Sequence, residues 1–467
     1  MRGLVWLGGG LLVLAWAGAG VAGITKGPYL QDVQSDRITV AAETDAGESC
    51  LVLWGDGLDH ETVLVADGGQ HVGVLSGLAP SSCVPYQLIC GTSLAPESVL
   101  CTAPVGDAPI RFVVFGDTRS DHQAHADVIR AIAAESPAFV IHTGDLVSDG
   151  GDEGQWQTFF DIEGELMRST PVYPVVGNHD KDDGRIDIYA RLFVVPEGSG
   201  SDHYYRFSYG HAEFLILDNQ VAGLGRPVDA TVQGRWLAAE LAAWRASPQR
   251  THRFVVVHAS MYSADDSRTG EEGLRAWRDE FLAAGVGGVF SGHDHHYARG
   301  AADNGLAFVV TGGGGAPLYG FREGFQTAGE PLEVSVWGWL PEPGPNPFTL
   351  FWTREVHHYV LVEIRGSRFE ACAKEVLPGQ VGPGVAFDCW SYTLAGTEPD
   401  PVPETSGCSC SPAGESASGL ALLLGMGLLA FCLAGSLGSR QTRAGTHRQV
   451  RVSSARRPRL GSSARCR

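Results

Sequence analysis

The chain has 467 residues, 44% of them hydrophobic and 19% charged, with a formal net charge of −19. That length allows two or three domains with a sizeable core, and the balance is that of a globular protein rather than a disordered one. Nine arginines follow position 439 without a single acid; removing them leaves −28 on the rest, and so acidic a body excludes nucleic acid as a general partner.

Residues 1–23 read as a signal peptide. Arg2 is followed by an apolar stretch and a small-residue end, AGAGVAG, with cleavage expected near Ala22. A retained N-terminal anchor is the alternative. Export makes the ten cysteines readable as disulfides, and no CxxC spacing suggests zinc. Cys372 and Cys389 are expected to pair. Cys50, Cys83, Cys90 and Cys101 allow three connectivities, which stay open.

Residues 24–105 read as all-β. The runs ITVAAET, CLVLWGD, HVGVLSGL and VPYQLIC are separated by Gly, Asp and Pro, which predicts a small sandwich. KGPYLQDV and GLAPSSCVPYQL resemble the fibronectin-III-like N-terminal domain of secreted purple acid phosphatase-type enzymes. Nothing in this segment carries chemistry, so its expected role is packing or positioning.

Residues 106–394 change to alternating strands and helices, with strands at IRFVVFGD, AFVIHTGD, PVYPVVGNHD, RFVVVHAS, GVFSGHDHH and LAFVVTGGGG. HQAHADVIRAIAA, EGQWQTFFDIEGELM and QGRWLAAELAAWRA between them carry helical spacing. YYRFSYGHAEFLILDN reads as a hairpin turning near Tyr209 and Gly210. Such alternation predicts parallel strands with their polar ends on one edge. Residues 316–355, rich in aromatics, Pro and Gly, read as an irregular insertion at the site mouth. HHYVLVEIRG and RFEACAKEV form a further hairpin.

Residues 395–415 read as a Pro- and acid-rich linker, 416–439 as an uncharged apolar span, and 440–467 as a basic tail on the cytoplasmic side. Cys408 and Cys410, the span and the arginines together resemble a Myxo-type C-terminal sorting signal. That resemblance implies a sorting protease acting at the cysteine motif; a permanent membrane anchor is the alternative.

Five strand ends hold metal-capable residues: Asp117, Asp145, the set Asn178, His179 and Asp180, then His258, and the set His293, Asp294 and His295. Any one alone is a turn or a polar loop end. Together they supply the mixed His, Asp and Asn ligation that suits Fe, Zn or Mn around two cations sharing a carboxylate. The ordered set GD, GD, GNHD, VVVH, GHDH resembles the calcineurin-like metallophosphoesterase family. That likeness implies an α/β fold, the αββα sandwich of those enzymes, behind the small β domain. It further implies Asp145 as the bridging ligand, Asp117 and His295 on a first metal, and Asn178, His258 and His293 on a second. By the same resemblance Asn178 also meets substrate, His179 is the general acid and Asp180 orients it, while a hydroxide activated by the metals attacks phosphorus in line.

Two positions depart from the family. Arg119 stands where many members have a histidine ligand, and guanidinium only donates. It reads either as a phosphate clamp or as an ion-pair partner of Asp121 or Asp149. Ser148 replaces the tyrosine that colours purple acid phosphatases, so no purple colour is expected. His122 and His125 are candidate fillers of the first site. His203, Tyr204, Tyr205, Tyr297 and Arg299 are softer candidates for substrate contact. The expected function is an exported, surface-held phosphomonoesterase; a phosphodiesterase or nucleotide hydrolase, and a catalytically weak binding module, are the alternatives.

Overall fold

The computed structural model describes residues 23–45, 47–224, 231–247, 251–326, 332–334 and 348–394. The expected signal peptide, linker, apolar span, basic tail and Cys408 and Cys410 lie outside them. Among the described residues no helix is long and apolar enough to cross a membrane.

The N-terminal region forms two antiparallel sheets. One runs Ile24–Gln31, Arg37–Thr44, Gln70–Ser76, Val65–Asp67; the other centres on Cys50–Trp54 and Cys83–Cys90. The four early cysteines pair as Cys50–Cys90 and Cys83–Cys101, each between directly opposed residues of neighbouring strands. Buried tyrosines hold this sandwich to the larger C-terminal region. Tyr29 donates to Leu192 O (2.8 Å) and Tyr86 donates to Arg168 O (2.6 Å). Burial raises both phenols well above their usual range, so each stays a neutral donor.

Residues 110 onward build two larger sheets. Ile110–Phe115, Phe139–His142 and Val172–Pro174 are parallel, and the hairpin His358–Arg365 and Arg368–Glu375 adds antiparallel to Ile110–Phe115. Val385–Thr393 extends that sheet, and the expected Cys372–Cys389 bridge joins two opposed residues there. In the second sheet, Ala212–Leu217, His252–Ala259, Val286–Gly292 and Ala307–Thr311 are parallel.

Between the sheets lies an aromatic core of Phe112, Phe139, Phe214, Phe254 and Phe290. Helices His122–Glu135 and Glu153–Met167 cover the outside of the first sheet, and Val232–Ala246 covers the second. The first of these buries His125, Val128, Ile129 and Ile132, a spacing that puts all four on one face. Asp121 and Asp152 cap the first two helices through backbone N–H groups. The result is the αββα sandwich. Within the expected irregular insertion 316–355, the described stretch Phe348–Arg354 is a strand that pairs with Tyr297–Ala302.

Candidate metal centre

Because the strands are parallel, their carboxyl ends meet on one edge, where open α/β sheets place ligands. Asp117 follows Ile110–Phe115, Asp145 follows Phe139–His142, His258 ends His252–Ala259, and His293 and His295 follow Val286–Gly292. The glycine before each loop residue has a steric reason. A Cβ on Gly177 would sit 2.1 Å from Asp145 N, and one on Gly292 would sit 2.3 Å from Asp117 Oδ2. Asp117, Asp145 and His293 themselves adopt positive φ of 61°, 56° and 70°. Such conformations cost roughly 1–3 kcal/mol each and persist only where surroundings enforce them.

Two groups of donor atoms result. Asp117, Asp145 and His295 form one, and Asp145, His258 and His293 the other, with donors within 4.8 Å of one another in each. Asp145 belongs to both. Asn178 joins the second through Oδ1, 3.1 Å from His258 Nε2.

The ring tautomers are set from behind. His258 Nδ1 donates to Thr143 O (2.8 Å) and His295 Nδ1 donates to Pro317 O (2.7 Å), leaving each Nε2 facing inward. His258 Nε2 then lies 3.3 Å from Asp145 Oδ1 and 3.2 Å from His293 Nδ1. Acceptors that face acceptors at such distances need a shared proton or cation. Asp117 Oδ1 is buried with no hydrogen-bond partner among the described residues. A buried carboxylate oxygen without a hydrogen bond, 3.5 Å from His295 Nε2, fits a metal ion, and the donor chemistry suits first-row ions.

The electrostatics agree. Burial opposes charge on His258, but the Asp145 and Asp117 carboxylates raise its pKa above the ordinary range. Burial, His258 and Arg268 push His293 down to about 2. Burial also works against the Asp145 carboxylate, yet His258, the His179 amide and Arg119 hold its pKa below the usual value.

His179 stands at the rim, half-buried. Its backbone N–H donates to Asp145 Oδ1 (2.9 Å) and its Nδ1 donates to Ser148 O (2.8 Å). Asp180 does not orient that ring. It is fully buried, and its two oxygens accept backbone N–H groups of Gly177 (2.7 Å), Asp145 (2.9 Å), Leu146 (2.8 Å) and Val147 (3.2 Å). It ties two donor loops together.

Arg119 pairs with neither Asp121 nor Asp149. Its Nε lies 3.2 Å from Asp145 Oδ2, and its Nη2 lies 3.5 Å from both His295 Nε2 and Tyr319 Oη. Ser148 Oγ meets Ser120 Oγ at 3.1 Å. His125 is buried against Glu163 (2.9 Å), and His122 lies beside it near Arg119 and Ser148; neither joins the donor groups. Tyr297 and Arg299 bond Asp388 and so link the sheets, and Tyr204 and Tyr205 are buried. His203 pairs with Asp218 at 2.7 Å.

Tyr319 and Arg268 escaped the sequence reading. Tyr319 stacks on His295 with ring centroids 4.0 Å apart, and Arg268 lies over the Tyr319 ring. The only signal for Tyr319 was the glycine-rich GGGGAPLYG directly after a strand, and none pointed to Arg268.

Residues 110–297 match the family model described as calcineurin-like phosphoesterase. The chain carries a calcineurin-like phosphoesterase domain. Among curated proteins, an uncharacterized Mycobacterium tuberculosis protein is 28% identical over 261 residues, covering 48% of this chain and 49% of the relative. Purple acid phosphatase 18 of Arabidopsis thaliana is 25% identical over 269 residues, covering 55% and 59%. The chain thus spans about half the length of the curated relatives it matches. Among solved structures, the purple acid phosphatase PPD1 of yellow lupin superposes with a TM-score of 0.62 at 18% identity, covering 78% of this chain and 74% of that one. That likeness extends the shared fold beyond the phosphoesterase domain.

Proposed function

We propose that this chain is an exported, metal-dependent phosphoesterase that hydrolyses phosphate monoesters. The observation that carries the reading is the pair of donor groups sharing Asp145, with Asp117 Oδ1 buried beside His295 Nε2 and making no hydrogen bond among the described residues. Asp117, Asp145 and His295 would hold one ion; Asp145, Asn178, His258 and His293 would hold the other. Bound there, first-row ions would lower the pKa of a water and neutralise charge on phosphate oxygens.

The chain's own groups do the rest. Arg119, whose Nε donates to the shared Asp145 carboxylate, would offer its remaining N–H groups to phosphate oxygens, which guanidinium suits in a forked pair. Ser148 O accepts from His179 Nδ1, so Nε2 is the atom left to hand a proton to the departing alcohol. Asn178 can turn its amide N–H toward the same phosphate while Oδ1 stays with His258. Three disulfides support an oxidising compartment, as expected of an exported protein. Residues 395–467 would add surface attachment by the anchor or sorting route read from the sequence.

The deciding experiment is turnover of phenyl phosphate, bis-phenyl phosphate and a nucleotide by the purified chain with Mn, Zn or Fe. Monoester turnover ahead of the other two is expected. Inertness with every metal defeats the enzyme reading, and diester preference defeats the monoester assignment.

A further inference from the structure

Beside His293 the loop between His252–Ala259 and helix Glu272–Arg275 encloses a cavity of about 220 Å³, lined by Ser260, Ser267, Arg268, Thr269, Glu271 and His293, among others. No Phe, Tyr or Trp side chain lines it. The loop is firmly built. Buried Arg275 donates from Nη1 to Met261 O (2.7 Å) and Thr269 O (2.9 Å), and Arg322 Nη2 donates to Arg268 O (2.7 Å). Gly270, at φ 74°, lets the chain pass where a Cβ would lie 2.5 Å from Met261 O.

The charges in the cavity are of both signs. Arg268 Nη1 donates to Asp294 Oδ1 (2.9 Å) and His293 O, so its charge is matched while Nε and Nη2 make no hydrogen bond among the described residues. Half-buried Glu271 makes none through its side chain among the described residues. Thr269 Oγ1 has only a 3.5 Å contact to Gly270 O. The spare groups are thus guanidinium donors, a carboxylate acceptor and a hydroxyl.

We infer that this cavity receives the leaving group, and that it selects hydroxylated alcohols such as a sugar or polyol. The inference rests on the phosphoesterase reading above, because the cavity opens against a candidate metal ligand. Neutral hydroxyls satisfy both signs at once: Glu271 accepts from them and Arg268 donates to them. A second anionic group would face Glu271 and Asp294. An ammonium would face Arg268. An aromatic leaving group would desolvate Arg268, Glu271 and Thr269 without giving them partners, which costs affinity.

The test compares kcat/KM on glucose 6-phosphate, glycerol 2-phosphate and phenyl phosphate for the full-length protein, Glu271→Ala and Thr269→Val. The natural chain should favour the polyol esters. Each variant should lower the ratio of polyol to phenyl ester, about tenfold for Glu271→Ala, the scale of a hydrogen bond to a charged group. A ratio unmoved in both variants overturns the subsite. Saturation-transfer NMR separates this from failure of the enzyme reading. If no ester is turned over, saturation of the glucose 6-phosphate sugar protons that disappears in Glu271→Ala still supports the subsite. Equal or absent saturation in both proteins overturns it.

Discussion

Arg119 brings a permanent positive charge to within hydrogen-bonding range of two atoms that a first metal would use, Asp145 Oδ2 and His295 Nε2. Like charges repel at close range in a partly buried site. The first ion should therefore bind more weakly than the second, because Arg268, the guanidinium near His293, is itself paired with Asp294. Arg119→Ala should tighten the first site by about tenfold or more and the second, which shares only Asp145 with it, by less, as read by equilibrium dialysis with elemental analysis. Arg119→His should go further, because imidazole can ligate. Two equal sites in the natural chain, or no response to either change, would remove Arg119 from this role. Asp145→Asn is the complementary change: loss of the shared carboxylate should release both ions, and retention of both by the same assay would refute the bridge.

At the scale of elements, four backbone N–H groups from two loops converge on Asp180. An asparagine there would turn an amide N–H₂ against some of those donors. Asp180→Asn should cost about 2–4 kcal/mol in denaturant unfolding, the range for damaging a buried, charge-assisted network. A cost below ~1 kcal/mol would show that the loops do not depend on it. The sequence betrayed this residue's place but not its job. Strands and the polar residues at their ends were legible because fully buried parallel strands leave long apolar runs ending abruptly in polar residues. Asp180 was misread because a carboxylate beside a histidine looks like its partner, whereas the direction of the side chain depends on the loop's path. The pairing of Arg119 with Asp145, 26 residues away, and the stacking of Tyr319 on His295 depend on loops meeting in space. Periodicity holds no record of either, and the early disulfides stayed open for the same reason.

At the scale of the whole molecule, the sandwich, the two large sheets and the last three strands pack together, and buried histidines stand among the links. His252 bridges the second sheet to the turn between His358–Arg365 and Arg368–Glu375 through Gly366 O (3.0 Å), and to Val385–Thr393 through Tyr392 Oη (3.3 Å). Burial, with nearby His211, pushes its pKa down to about 4. His358, buried beneath the glycine-rich turn, is pushed down to about 3 by burial and its histidine neighbours. Both are neutral in the fold, while the unfolded chain takes up protons near pH 6.5. Below that pH the unfolded state binds more protons than the native one, so stability falls with pH, until about 4 for His252 and about 3 for His358. Each contributes a slope of about 1.4 kcal/mol per pH unit inside its window, and so a loss of roughly 2 kcal/mol at about pH 5. His252→Gln should flatten the dependence of unfolding free energy on pH between about 6 and 4.5 by about one proton, whatever it does to stability at alkaline pH. Denaturant titrations at successive pH values read this directly, and parallel curves for variant and natural chain would mean that His252 does not titrate with unfolding.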